Sequence, residues 1–178
     1  MGWSLSYQLP REPKLLDEFF LTIGKALYLA SAFEGKCKWV LRLVNLSQYV
    51  EQGGGLSATE ALTTVLREKF LGPTIKDMKR LPDFSAHDVA LLERAKDARN
   101  FIAHESANIG RPLSSVSARH IHEQLARLRS EVEALAAGDN LISRWVFEIE
   151  EKEPAPPGIQ DAYPGWVQQW IFGPVGHG

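Results

Sequence analysis

From Lys14 to about Gln52, apolar side chains recur at steps of three and four: Leu16, Phe19, Ile23, Ala26, Ala30, Phe33, Cys37, Val40 and Val44. That spacing predicts a long amphipathic helix with a single buried stripe. Pro13 suits its first turn, where a missing N–H costs nothing. Gly24 and Gly35 fall inside the pattern and predict close helix packing or a bend, while Glu34, beside the stripe, reads as a solvated residue, with a place facing a site as the other reading. Gln52-Gly53-Gly54-Gly55 ends the helix. It is not a phosphate loop, because no strand precedes it and no Gly-Lys-Ser/Thr follows. Ser57 and Glu60 form a capping-box pair for a helix over Ala58 to Phe70, which Leu71-Gly72-Pro73 should stop. Ile75, Met78 and Leu81 predict a short helical turn before Pro82, and Lys76, Lys79 and Arg80 read as a solvated basic loop.

The same period returns after Ser85, which with Asp88 makes a second capping box. A helix to about Ser106 would pack through Val89, Leu91, Leu92, Ala95, Ala98, Phe101 and Ile102, followed by a loop over Asn108 to Pro112. Ser114 or Ser115 should open another long helix, with Ile121, Leu125, Leu128, Val132 and Leu135 as its stripe. Gly138-Asp139-Asn140 should interrupt it, and Leu141 to Glu151 resumes through Ile142, Trp145, Val146 and Ile149. Beyond Lys152 the density of proline and glycine predicts irregular structure, yet Tyr163, Trp166, Trp170, Ile171 and Phe172 are too apolar for a linker. The expected fold is all-α: an antiparallel bundle of four to six helices with long first and late members. The expected divisions are an arm over 1–13, the bundle over 14–152, and an irregular tail over 153–178 docked on the body or on a partner.

Composition narrows the function classes. The 178 residues, 44% hydrophobic and 24% charged, suit one globular domain with a sizeable core. A net charge of -2 gives no overall attraction to nucleic acid, so any such contact needs a local cationic patch, for instance one assembled between subunits. The single cysteine, Cys37, lies in the apolar stripe and reads as a small buried hydrophobe. It excludes an intramolecular disulfide and fits a reducing compartment. Met1 to Pro13 has neither a basic nor an apolar leader region, and no apolar run reaches the length of a membrane span. A cytoplasmic location is expected.

One stretch carries candidate chemistry: Arg99-Asn100-Phe101-Ile102-Ala103-His104. Asn100 and His104 are four apart and share a helix face. Arg99 and His104 are five apart, roughly 140° around the axis. An arginine, four intervening residues and a histidine, with asparagine directly after the arginine, on a late helix flanked by long ones, resembles the signature of HEPN domains. That family includes many prokaryotic ribonuclease toxins. The resemblance implies a metal-independent endoribonuclease without a cofactor, active as a homodimer in which two motifs share one cleft. The implied site residues are Arg99, His104 and Asn100, the substrate is RNA, and the setting is a toxin or phage-defence component. An antitoxin such as a nucleotidyltransferase-like protein is an implied partner. In the subgroup modified by that partner a tyrosine stands two residues after the histidine, and Ser106 holds that place here. Other family members keep the fold as catalytically inactive interaction or nucleotide-binding modules.

The residue types suit that chemistry. An imidazole titrates near neutrality and can serve as general base or acid. A guanidinium binds phosphate bidentately and stabilises charge developing on phosphorus. The alternative for the same residues is a surface pair of Arg99 with Asp97 or Glu105, and His104 as a residue at a helix C-terminus, where the dipole favours a cation. His120 and His122 are two apart, about 200° on a helix, and do not form a local metal pair. Nothing in the chain suggests nucleophilic or glycosidic chemistry. The tail tryptophans read as hydrophobic anchors, with base stacking as the other reading.

Overall fold

The computed structural model describes residues 10–51, 71–78 and 85–173. Among these residues five helices follow in order: α1 (Pro13–Glu51), α2 (Leu71–Met78), α3 (Ala86–His104), α4 (Ala118–Glu151) and α5 (Pro157–Phe172), with a 3-10 turn over Leu113–Ser115. The fold is all-α, and no strand occurs among the described residues. The triple glycine, the Ser57–Glu60 capping box, the helix over Ala58 to Phe70, and Lys79, Arg80 and Leu81 lie outside them.

The sequence stripes form the core. Leu16, Phe19, Ile23, Ala26, Ala30, Phe33, Cys37 and Val40 of α1 are buried against Leu92, Ala95, Ala98, Phe101 and Ile102 of α3. Ile121, Leu128, Val132 and Leu135 of α4 complete the layer. Glu34 reaches Arg99, and Arg11 N–H meets the Leu113 carbonyl beyond the end of α3, so α1 and α3 run antiparallel. Arg94 pairs with Glu131 at 2.7 Å and Arg127 with Glu105 at 3.5 Å, making α3 and α4 antiparallel as well. Two helices are long, α1 with 39 residues and α4 with 34. No helix among the described residues is long and apolar enough to cross a membrane.

Local rules explain the ends of these helices. Ser85 accepts from the Asp88 N–H at 3.1 Å while Asp88 accepts from the Ser85 N–H, the reciprocal box expected there. The cap of α4 is Ser117, not Ser114 or Ser115, which belong to the preceding 3-10 turn. Leu71, Gly72 and Pro73, expected to stop a helix, form the first turn of α2, where proline is tolerated. Gly24 and Gly35 do not mark close packing, because a Cβ at either position meets nothing within 4 Å.

Two expectations are overturned. Gly138-Asp139-Asn140 does not interrupt α4, because each residue is spent on docking another helix. A Cβ on Gly138 would lie 2.3 Å from Ala95 Cβ, so the missing side chain is what lets α3 and α4 approach. Asp139 is fully buried and binds Lys36 of α1 at 2.9 Å and the Tyr163 hydroxyl of α5. Asn140 Nδ2 donates to the Gln160 carbonyl of α5 at 2.8 Å.

The tail is the second correction: residues 157–172 are the helix α5, not irregular structure. Pro157 sits in the first turn, where its missing N–H is no loss. Pro164 lies inside the helix and cannot donate to the carbonyl four residues back, which is that of Gln160. Asn140 supplies the missing donor. The expected docking of this segment holds, with Val167 and Ile171 buried against the body.

Candidate functional site

The motif lies on α3, whose buried residues Ala98, Phe101 and Ile102 fix its rotation and leave Arg99 and Asn100 at the edge. Arg99 is held from two sides. Its Nη2 donates to a Glu34 carboxylate oxygen on α1, and its Nη1 donates to Asn100 Oδ1 at 3.2 Å. The other Glu34 oxygen takes Lys38 at 2.8 Å. Burial would raise the Glu34 carboxyl, but the Lys38 hydrogen bond and the charges of Arg99 and Lys38 outweigh it and hold the group below its ordinary range. The Arg99 side chain remains 23% exposed, so the pair is not sealed from solvent.

His104 is the last residue of α3 and is exposed. It lies one turn beyond Asn100 on the same face, and no described residue hydrogen-bonds its side chain. Below it the chain is tied down firmly. The Glu105 N–H donates to the Phe101 carbonyl at 2.8 Å, and the buried Ser106 Oγ donates to the Ile102 carbonyl at 2.6 Å. Arg127 of α4 stacks over the Phe101 ring at 4.2 Å from its centroid and places a second guanidinium on this end of α3.

The structure therefore brings Arg99 and Asn100 together and leaves His104 separate at the helix end. Arg99 does not pair with Asp97 or Glu105. Asp97 sits by Lys96 at 3.5 Å, and Glu105 by Arg127. Glu34 is corrected from a solvated residue to the partner of Arg99. Its signal in the sequence was position: it follows the core residue Phe33 by one and precedes Cys37 by three, at the margin of the stripe. Arg127 carried no such signal, since it is one of several arginines on the polar face of α4.

Elsewhere the picture is structural. Burial first, then the nearby Asp139 charge, raises the Cys37 thiol far above its usual range, so it is inert. His120 Nδ1 lies 4.0 Å from Glu123, and no group of three or more metal-binding side chains occurs among the described residues. No family model, curated protein or solved structure matches the chain.

Proposed function

We propose that the chain is a HEPN-type, metal-independent endoribonuclease of the cytoplasm, cleaving RNA in a cleft between two protomers as a toxin or phage-defence component. The observation that carries this reading is the Arg99–Asn100 hydrogen-bonded pair at the open edge of α3, with His104 free at the end of the same helix. The 2′-hydroxyl loses its proton to one imidazole as its oxygen bonds to phosphorus. The bond from phosphorus to the 5′-oxygen breaks, and that oxygen takes a proton from a second acid. The products are a 2′,3′-cyclic phosphate and a free 5′-hydroxyl. Arg99, steadied by Asn100, stabilises the charge on phosphorus.

A single protomer supplies one free imidazole, and its motif guanidinium is already shared with Glu34. Two protomers supply a base, an acid and a pair of guanidinium groups, so dimerisation is part of the reading. Ser106 stands where a regulated relative would carry tyrosine, and its hydroxyl is buried, so an antitoxin such as a nucleotidyltransferase-like protein would act by another contact. The second reading is a catalytically inactive module of the same architecture, and the Glu34–Arg99 ion pair favours it, because that pair serves structure without substrate.

The test is cleavage of total cellular RNA in EDTA by the intact chain, Arg99→Ala and His104→Ala, with mass measured by sedimentation. The expected result is cleavage by the parent dimer alone, with rates falling at least about 100-fold in each variant. Equal cleavage by all three rejects the site, and no cleavage by any supports the inactive module.

A further inference from the structure

The flank of α1 turned away from the Arg99 ion pair carries a different surface. Lys25 and Glu34 are nine residues apart, about half a turn around the helix. Beside Lys25, at steps of four and three, stand Leu21 and Tyr28, and α5 lays Ile159, Trp166 and Trp170 along the same side. Tyr28 is 69% exposed, Trp166 54% and Trp170 47%, unusual values for rings this large. The Tyr28 and Trp170 rings meet edge to face with centroids 5.8 Å apart. Lys25 Nζ donates to the Trp170 carbonyl at 2.9 Å and lies 6.0 Å from that ring's centroid. It pairs with no carboxylate among the described residues. Asp17 and Glu18 stand about two turns before it on the same helix.

Size and charge choose the occupant. At these exposures the three rings leave on the order of 400 Å² uncovered, which matches a functional patch on a monomer. A stable interface between two copies takes about 800 Å² from each, and a twofold axis here would also set one Lys25 against the other. Flat rings around an unpaired ammonium suit a flat, anionic ligand: bases stack on the rings and a phosphate meets the amine. Trp166 and Trp170 are separated by roughly 6 Å along the helix axis, of the order of one nucleotide step in an extended strand.

The geometry points to a stacking platform for single-stranded RNA on the α1–α5 face, an exosite that holds the strand outside the Arg99–His104 cleft. The choice of RNA rests on the ribonuclease reading above.

Fluorescence anisotropy with a labelled mixed-sequence oligoribonucleotide tests it, in the His104→Ala chain so that the probe stays intact. Tyr28→Ala, Trp166→Ala and Lys25→Gln are added singly, each checked by circular dichroism and melting. These side chains lie at the surface, so the fold should persist. Loss of either ring is expected to weaken binding about five-fold or more. Loss of Lys25 should lower the slope of affinity against salt by about 0.7. Unchanged affinity in all three variants overturns the platform, as does a parent that binds no RNA. Cleavage by the intact chain in either case leaves the ribonuclease reading standing. Variants that lose self-association while keeping RNA affinity would assign the face to a second copy and overturn the platform too.

Discussion

Glu34 occupies one side of the Arg99 guanidinium. Its carboxylate takes one guanidinium nitrogen and Lys38, and Asn100 takes the other nitrogen. The lowered pKa of Glu34 has a consequence for stability. A carboxyl that holds its proton less readily when folded stabilises the native state above its ordinary value of 4.5. That contribution disappears as pH falls through the lower folded value. Glu34→Gln should therefore cost on the order of 1 kcal/mol at pH 7, a modest figure because all three partners keep some contact with water. The gap from the parent should narrow on acidification to about pH 3, as the carboxyl begins to take up its proton. Urea denaturation of both chains at the two pH values measures it. A gap of the same size at pH 3 would mean that packing of the side chain, not its charge, supplies the stability.

At the scale of helices, glycines separate two kinds of contact. Gly138 is where α3 and α4 touch, and Gly138→Ala should cost about 1–3 kcal/mol, since the new methyl meets Ala95 Cβ on a packed backbone. Gly24→Ala and Gly35→Ala face open space within a helix and should each add up to about 1 kcal/mol of stability. Thermal melts of the three variants decide this, and a destabilised Gly24→Ala would show that its face is covered in solution. The contrast also shows what the sequence made legible. Stripes of apolar residues in α1, α3 and α4 were readable because burial imposes the helical period on them. So was the capping box at Ser85, a purely local device. Gly138-Asp139-Asn140 misled because local propensity opposes helix, and the reasons for helix there lie on α1, α3 and α5. The candidate site was legible in the same way and to the same depth. Arg99, Asn100 and His104 share one local segment, whereas Glu34 comes from a helix 65 residues away and shows its role only when α1 and α3 are packed.

For the molecule as a whole, two of those three α4 residues, Asp139 and Asn140, hold the C-terminal helix in place. Asp139 is a buried carboxylate with no exposure, and it is neutralised by Lys36 from the first helix and hydrogen-bonded by Tyr163 from the last. Lys36 also donates to Ser143 Oγ at 2.8 Å. Burial first, then the Asp139 charge, raises the Tyr163 hydroxyl above its usual range, so it stays protonated as the donor. One carboxylate on α4 thus joins the first helix to the last. Removing its charge strands the Lys36 ammonium, and Asp139→Asn should cost about 3 kcal/mol. Tyr163→Phe and Asn140→Ala each remove one hydrogen bond to α5 and should cost about 1–2 kcal/mol. Asp139→Asn and Tyr163→Phe share a partner, so their combined cost should fall short of the sum. Denaturant titration gives these energies, and hydrogen exchange over 157–172 shows where they act. In Tyr163→Phe and Asn140→Ala, protection should fall in α5 while α3 keeps its own. If exchange instead rises equally in both helices, α5 is an integral member of the core and not a separately docked element. A ring platform on its surface would then be as rigid as the motif helix itself.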